Sequence, residues 1–317
     1  MNRAAAMGGA GLVLVLLTAL VSGVSTFANL YAIKGTSSDA FVTVRNIVVA
    51  AAFVPVALVA ARYLRAPALR PADWARLVVI GLIGGAIPFL LFFHGLALAS
   101  AAKGSLTASF VYRTLFLFAT VFGVVFLAER FHWRVALAAG LLLGGNVLLL
   151  SFTAPVWTDG SLYVLAATIL WAAEYTLSKR TLRDLPSTTV MLGRMGFGAV
   201  FLAGYLALTA QWATVATFSS ASWDWVGISA ALLIAFVATF YAGLKRVDVG
   251  VATSVLVLGF PVTWLLSVLV QGSSFTVGQA LGVVAIVVGV VLAIGVALLR
   301  DTGLFLQRLL RPSAASS

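Results

Sequence analysis

The sequence has no cysteine, only two histidines and only nine acidic residues among its 317 positions. The absence of cysteine excludes disulfides, thiol catalysis and cysteine-ligated zinc. The two histidines, His94 and His132, fall in different parts of the chain, so a metal site is not predicted. A phosphate-binding loop, an HExxH motif and a serine–base pair with triad spacing are also missing. The sequence therefore predicts neither an enzyme nor a resident cofactor.

Charged residues make up only 9% of the chain, and apolar residues make up 62%. A soluble protein carries about 25% charged residues, and a soluble domain cannot bury this much apolar surface. The mean hydropathy of +1.12 agrees with this reading. The apolar runs are continuous, whereas membrane β-strands alternate apolar and polar residues over about ten positions. The composition therefore predicts an all-α integral membrane protein without a soluble catalytic domain.

Ten apolar stretches are long enough to cross a bilayer, whose core of about 30 Å needs about 20 residues of helix. Segments rich in turn-forming residues separate these stretches, for example 158–160 and 183–187. The predicted spans cover residues 10–32, 40–61, 77–99, 106–128, 135–152, 161–178, 188–210, 225–244, 250–271 and 278–299.

The basic residues are distributed unequally between the two sides of the membrane that these spans define. Fifteen of the twenty lie on the side that carries both chain ends, Lys34 and Lys103 lie on the other side, and three lie within spans. By the positive-inside rule, the N- and C-termini are cytoplasmic and the protein lies in the cell membrane. The net charge of +11 is then a topology signal that also suits contact with anionic lipid heads. A nucleic-acid partner is not predicted, because no basic folded module is present.

The two halves of the chain resemble each other. Residues 28–34 (ANLYAIK) end the first span and residues 173–179 (AEYTLSK) end the sixth, and an arginine follows in the next span of each half, Arg45 and Arg194. Because five spans is an odd number, the second copy must enter the membrane upside down, as in transporters that bind substrate near the midplane. The predicted domains are a first repeat at 1–152, an extracytoplasmic hinge at 153–160, a second repeat at 161–299 and a cytoplasmic tail at 300–317.

These features resemble the EamA branch of the drug/metabolite transporter superfamily over residues 10–299. The residues that carry the likeness are the lysine ending the first span, the arginine early in the second and the Glu129–Arg130 junction before the fifth. The resemblance implies a ten-helix bundle with a central cavity and alternating access, in a family associated with export of amino acids and other metabolites. Phe116 stands where the family has a proline in the fourth span. Whether the helix is broken at that position is therefore left open. Pro261 keeps that proline in the ninth span and is the predicted hinge.

Four charged residues, Arg45, Arg113, Arg194 and Glu174, lie inside the predicted spans. A charge at mid-bilayer costs about 2.5–3.5 kcal/mol on insertion scales, so each must reach water, a partner or a helix end. Arg45 and Arg194 can snorkel to the interface or contact substrate, whereas Arg113 is deeper and has less scope to snorkel. Glu174 has three interpretations: a proton-coupling group, a counter-ion for a cationic substrate, or a buried ion pair with an arginine such as Arg194.

Polar and aromatic side chains complete the candidate site. Asn29 is the repeat counterpart of Glu174, and His94 is either a group that titrates near neutral pH or an interfacial hydrogen-bonding residue. The aromatic residues either enclose a substrate or serve packing. The candidate substrate-binding or coupling residues are Asn29, Arg45, His94, Tyr112, Arg113, Trp171, Glu174, Tyr175, Arg194, Tyr241, Phe260 and Trp264.

The function that these residues favour is secondary transport, with export as the predicted direction, of a small metabolite such as an amino acid or organic acid. Three embedded arginines against one glutamate favour a substrate with an anionic group. A first alternative is proton-coupled efflux of lipophilic cations through Glu174. A second is a membrane-embedded enzyme or lipid-handling protein, which would need catalytic side chains clustered at one interface. The sequence does not predict an oligomeric state.

Overall fold

The computed structural model describes residues 3–32, 36–63, 68–102, 104–130, 133–151, 154–272 and 274–310. Lys34, Lys103, His132 and the tail residues 311–317 lie outside these ranges. The described residues form helices and connecting segments, without a strand among them. The helices are α1 (Arg3–Ala32), α2 (Ser38–Tyr63), α3 (Pro71–Ile80), α4 (Ile87–Ala101), α5 (Ser105–Arg113), α6 (Leu115–Leu127), α7 (Trp133–Leu149), α8 (Asp159–Thr181), α9 (Ser187–Leu208), α10 (Trp212–Ala216), α11 (Ser220–Leu244), α12 (Val249–Leu256), α13 (Gly259–Gln271) and α14 (Val277–Leu310).

Eight helical segments of the described chain are long and apolar enough to cross a membrane, and α7 is a shorter apolar helix. Three of the eight are composite, since α3 runs on into α4, α5 is followed by α6, and α12 by α13. Helix α8 has 23 residues and is not among these eight, because the charges of Glu174, Lys179 and Arg180 make it more polar than they are. The last helix extends to Leu310, so the first part of the predicted tail continues α14. The prediction of an all-helical membrane protein is confirmed.

A π-helical turn at Gly81–Ala86 joins α3 to α4. Pro88 explains this turn, because proline has no N–H to donate to the carbonyl four residues earlier and its ring clashes with that carbonyl. The carbonyl that loses its usual donor is that of Gly84. The turn therefore presents a backbone acceptor to side chains of neighbouring helices.

The same turn packs closely against α9 through glycine. A Cβ atom added to Gly85 would collide with the carbonyl oxygen of Arg194, and one added to Gly198 would collide with the backbone of Gly85. Small residues let two helix backbones approach in this way. The contact holds Arg194 beside the Gly84 carbonyl.

The segment from α12 to α13 is interrupted just before Pro261. Proline cannot donate to the carbonyl of Val257, which instead accepts the N–H of Phe260 at 3.1 Å. The interruption places Phe260 in the first turn of α13.

The segment from α5 to α6 is interrupted as well, although Phe116 stands where the resemblance implies a proline. Here the cause is Thr114, whose Oγ1 donates to the carbonyl of Val111 at 2.6 Å and competes with the backbone bonds of the helix. The break that the sequence left open is therefore present. It makes Arg113 the last residue of α5.

Loops that the sequence places on one side of the membrane contact each other at one end of the bundle. Arg76 forms an ion pair with Asp184 at 3.1 Å, and the Lys245 ammonium donates to the carbonyl of Leu185 at 3.0 Å. At the other end, the Val156 N–H donates to Thr107 Oγ1 at 2.8 Å. The loops that hold Arg76, Asp184 and Lys245 thus lie at one end of the bundle, and Thr107 and Val156 lie at the other.

Glu129 links the first half of the chain to the second at the end that carries Arg76. Its carboxylate accepts the backbone N–H groups of Val249 and Gly250 at 2.8 and 3.3 Å, at the N-terminus of α12. Burial, and then the neighbouring Asp248, raise the pKa of the Glu129 carboxyl. The residue that identifies the junction before the fifth predicted span therefore caps a helix of the opposite half.

Candidate functional site

A cavity of about 260 Å³ lies between the helices. Helices from both halves of the chain contribute to it, and its lining contains arginines, small polar residues and many aromatic rings. It is lined by Ser22, Ser25, Thr26, Asn29, Arg45, Phe89, Phe92, Phe93, Leu96, Ser109, Tyr112, Arg113, Trp171, Tyr175, Arg194, Leu233, Phe236 and Phe260.

Four aromatic rings form one continuous wall of this cavity. The centroids of Phe89, Phe92, Tyr112 and Trp171 lie 4.8 to 5.7 Å from their neighbours, in edge-to-face or tilted arrangements. Rings in this geometry gain stabilisation beyond their buried area. The wall gives the cavity a rigid apolar face that suits the apolar or aromatic body of a small molecule.

Arg45 is almost fully buried, with 3% of its surface exposed. Its Nε and Nη2 donate to the side-chain oxygen of Asn46 at 3.2 and 3.1 Å, and its guanidinium carbon lies 5.1 Å from the centre of the Phe89 ring. The Asn46 amide in turn donates to the carbonyl of Gly85 at 3.2 Å. The π-helical turn thus orients this arginine, whose side chain is enclosed within the bundle.

Arg194 is 2% exposed and lies between the cavity and Glu174. Its Nε is 3.5 Å from Oε2 of Glu174, and its Nη2 donates to the carbonyl of Gly84 at 2.9 Å. Trp171 donates its indole N–H to the same carbonyl at 3.1 Å. The acceptor freed by Pro88 therefore positions both an arginine and an aromatic residue of the cavity.

Glu174 lies behind Arg194 and is fully buried. Its Oε1 accepts hydrogen bonds from Ser178 Oγ at 2.5 Å and from the Tyr241 hydroxyl at 2.6 Å. The structure thus contains the ion pair with Arg194 that was one of the three interpretations of this residue. Glu174, Ser178 and Tyr241 form a buried, hydrogen-bonded layer behind Arg194.

Arg113 contacts the cavity from the break between α5 and α6. Its guanidinium carbon lies 4.1 Å from the centre of the Phe260 ring, and its Nη1 donates to Asn146 Oδ1 at 3.2 Å. Asn146 is fully buried and is fixed by a hydrogen bond from its amide to the carbonyl of Leu142 at 2.8 Å. Two helix interruptions, at Thr114 and before Pro261, therefore bring Arg113 and Phe260 together.

The charges around the cavity do not balance. Three arginines belong to the lining, and of the residues that the structure describes there, none is acidic. Arg194 is paired with Glu174, whereas neither Arg45 nor Arg113 has an ion-pair partner within the described parts of the chain. A buried charge that lacks a partner is costly. The cavity is thus suited to an anion.

Eight of the twelve residues proposed from the sequence line this cavity: Asn29, Arg45, Tyr112, Arg113, Trp171, Tyr175, Arg194 and Phe260. Four do not. Glu174 and Tyr241 form the buried layer behind the cavity. His94 is exposed and packs edge to face on Tyr163, and Trp264 packs on Phe275.

Several residues of the site were missed in the sequence. Phe89, Phe92, Phe93 and Leu96 follow the i, i+3, i+4, i+7 pattern of one helix face, a signal that could have found them. Asn46 and Asn146 are amides inside apolar spans and carry a similar signal. The Gly84 carbonyl could have been found from Pro88, four residues later.

Replacing Pro88 with alanine should weaken the hold on Arg194 and Trp171, because it restores an N–H that competes for the Gly84 carbonyl. One added backbone hydrogen bond is worth about 1 kcal/mol, so amide exchange in peptides covering residues 81–90 should slow about fivefold. Hydrogen–deuterium exchange of the purified protein measures this. Pro55→Ala in α2 is the matched control and should leave residues 81–90 unchanged. Unaltered exchange in Pro88→Ala would contradict the role assigned to this proline.

The described residues contain no group of three or more histidine, cysteine or acidic side chains placed to hold a metal ion. Comparison with known proteins gives one family match: the model of the EamA-like transporter family matches residues 9–151 and 158–295. No curated protein matches the sequence significantly. A solved crystal structure superposes with a TM-score of 0.70 at 22% identity, covering 91% of this chain and 98% of that one. At this identity the structural match shows a shared fold.

Proposed function

The chain belongs to the EamA-like transporter family, within the drug/metabolite transporter superfamily, and we propose that it exports a small organic anion across the cytoplasmic membrane. The substrate class is a metabolite with a carboxylate or a similar group, such as an amino acid or organic acid. The mechanism is secondary transport by alternating access, with both chain ends in the cytoplasm.

The observation that carries this proposal is the uncompensated positive charge of the cavity. Arg45 and Arg113 contribute two guanidinium groups that lack a carboxylate partner among the described residues. Guanidinium groups bind carboxylates and phosphates through charge-assisted hydrogen bonds. The aromatic wall beside them supplies a surface for the remainder of the substrate.

Alternating access between two inverted five-helix repeats has support from the helix interruptions. The breaks at Thr114 and before Pro261 fall in the fourth and ninth predicted spans, which are equivalent in the two repeats. Interrupted helices at the midplane are typical of transporters built from inverted repeats. On the side predicted to be cytoplasmic, Glu129 bridges to α12 and the Glu174 layer is fully buried. We propose that these contacts separate when the cavity opens inward, with Pro261 as hinge.

Efflux of lipophilic cations through Glu174 has less support. One oxygen of this carboxylate accepts two hydrogen bonds and the other is ion-paired with Arg194, and the carboxylate lies behind Arg194 rather than in the lining of the cavity. A cation in the cavity would also meet three arginines. The match to a transporter family favours transport over an enzymatic or lipid-handling role.

Counterflow in proteoliposomes tests the proposal. A panel of amino acids and organic acids should include at least one compound that drives counterflow in the parent protein. Arg45→Gln should lower this rate about tenfold or more, because a hydrogen bond to a charged group is worth about 1.5–3 kcal/mol. Arg134→Gln, at an exposed arginine, is the matched control and should retain it. Counterflow driven only by lipophilic cations and abolished by Glu174→Gln would favour the alternative, and counterflow with neither class would rule out transport of either kind.

A further inference from the structure

We propose that the preferred substrate carries two negative charges, and that Arg113 selects for the second one. This inference rests on the proposed function and makes it more specific. The two charges belong to one small molecule with an apolar or aromatic body. A dicarboxylate and a phosphate monoester both have this chemistry.

Arg45 and Arg194 form one cationic subsite. Their guanidinium carbons lie 5.1 and 5.8 Å from the centre of the same ring, that of Phe89. Glu174 neutralises one of these two charges through its ion pair with Arg194. One positive charge therefore remains at this subsite, which suits one negative charge of the substrate.

Arg113 forms a second subsite on a different set of helices. It lies against Phe260 of α13 and Asn146 of α7, and within the described residues no carboxylate is paired with it. A substrate with a single negative charge would leave one of the two subsites uncompensated. A dianion would compensate both and would leave no buried guanidinium without a counter-charge, which is the costly arrangement.

The second subsite is built to present its guanidinium to the cavity. Asn146 is buried, and its amide is bound to the Leu142 carbonyl, so that its oxygen is fixed toward Arg113. This contact uses one of the five N–H groups of the guanidinium, and the residue belongs to the lining of the cavity. An arginine that served only to pack on Phe260 would not need an oriented amide beside it.

Paired ligands that differ by one charge test this inference. Phenylsuccinate and its monomethyl ester form a dicarboxylate pair, and phenyl phosphate and methyl phenyl phosphate form a phosphate pair. Their affinities for the full-length protein in nanodiscs are measured by titration calorimetry at pH 7.5. In at least one pair, the dianion should bind about tenfold more tightly than the monoanion. Preference in one pair alone identifies whether the two charges belong to two carboxylates or to one phosphate.

Variants at Arg113 test whether this residue is the source of the preference for dianions. Arg113→Gln should reduce the ratio of dianion to monoanion affinity to about one, chiefly by weakening the binding of the dianion. Arg113→Lys should retain part of this ratio because the positive charge is kept. Arg134→Gln is the control. Equal affinities within both pairs in the parent protein, or a preference that survives in Arg113→Gln, would overturn the inference. If monoanions are bound and transported without a preference for dianions, the proposed function stands and only this inference fails, whereas failure of every anion contradicts both.

Discussion

Replacing Arg194 with leucine is expected to lower the free energy of unfolding by about 3–5 kcal/mol, because a buried carboxylate is left without its cation. Glu174 is fully buried, and its Oε2 lies 3.5 Å from Arg194. Its remaining partners, Ser178 and Tyr241, both bind Oε1. Unfolding in mixed micelles, followed by tryptophan fluorescence, measures the loss.

Two further variants separate the pair from a general effect of mutation. Replacing both Arg194 and Glu174 with leucine should recover most of the lost stability, since no isolated charge remains, but it should not recover transport. Asp184→Asn breaks an ion pair that is largely exposed, since the side chain of Asp184 is 62% exposed and that of Arg76 is 35% exposed. This substitution should lower the free energy of unfolding by less than about 1 kcal/mol. If Arg194→Leu is no more destabilising than Asp184→Asn, the cation of the buried pair does not stabilise the fold.

The fold could be predicted from the sequence because the bilayer imposes a simple pattern. Only helices and closed barrels satisfy every backbone polar group in lipid, and continuous apolar runs distinguish the helices. The lysine and arginine positions predict the side of each loop, and the contacts of Arg76 with Asp184 and of Lys245 with Leu185 join loops that were assigned to one side. Local breaks were harder to predict, because the interruption at Thr114 depends on a hydroxyl that bonds a carbonyl rather than on proline.

The site was predicted only in part, for a physical reason. Charges inside apolar spans are costly wherever they lie, so Arg45, Arg113 and Arg194 could be singled out from type and position alone. Whether an aromatic residue faces the cavity depends on the rotation of its helix about its axis. For this reason His94 was a candidate although it lies on the exposed side of α4. Depth along a helix matters as well, because Phe260 and Trp264 lie one turn apart on the same face of α13, yet only Phe260 lines the cavity.

Replacing Gly198 with leucine should be as damaging as breaking the ion pair, although residue 198 contacts no substrate. A side chain at this position would collide with the backbone of Gly85 in the π-helical turn. Backbone cannot move aside as a flexible side chain can, so the cost should reach about 3 kcal/mol. Separating α9 from the turn would also move Arg194 away from the Gly84 carbonyl that it binds. Anion binding should therefore fall along with stability.

Helix α9 itself supplies the matched control for this prediction. Gly196 has no atom within 4 Å of where its Cβ would lie, so Gly196→Leu should be neutral or slightly stabilising, since leucine favours helix over glycine. Gly198→Ala should fall between the two leucine variants. Thermal unfolding and anion titration of all three variants test this order. If Gly198→Leu behaves like Gly196→Leu in both measurements, the close contact between α9 and the π-helical turn does not position Arg194, and the orientation of the cationic subsite must have another cause.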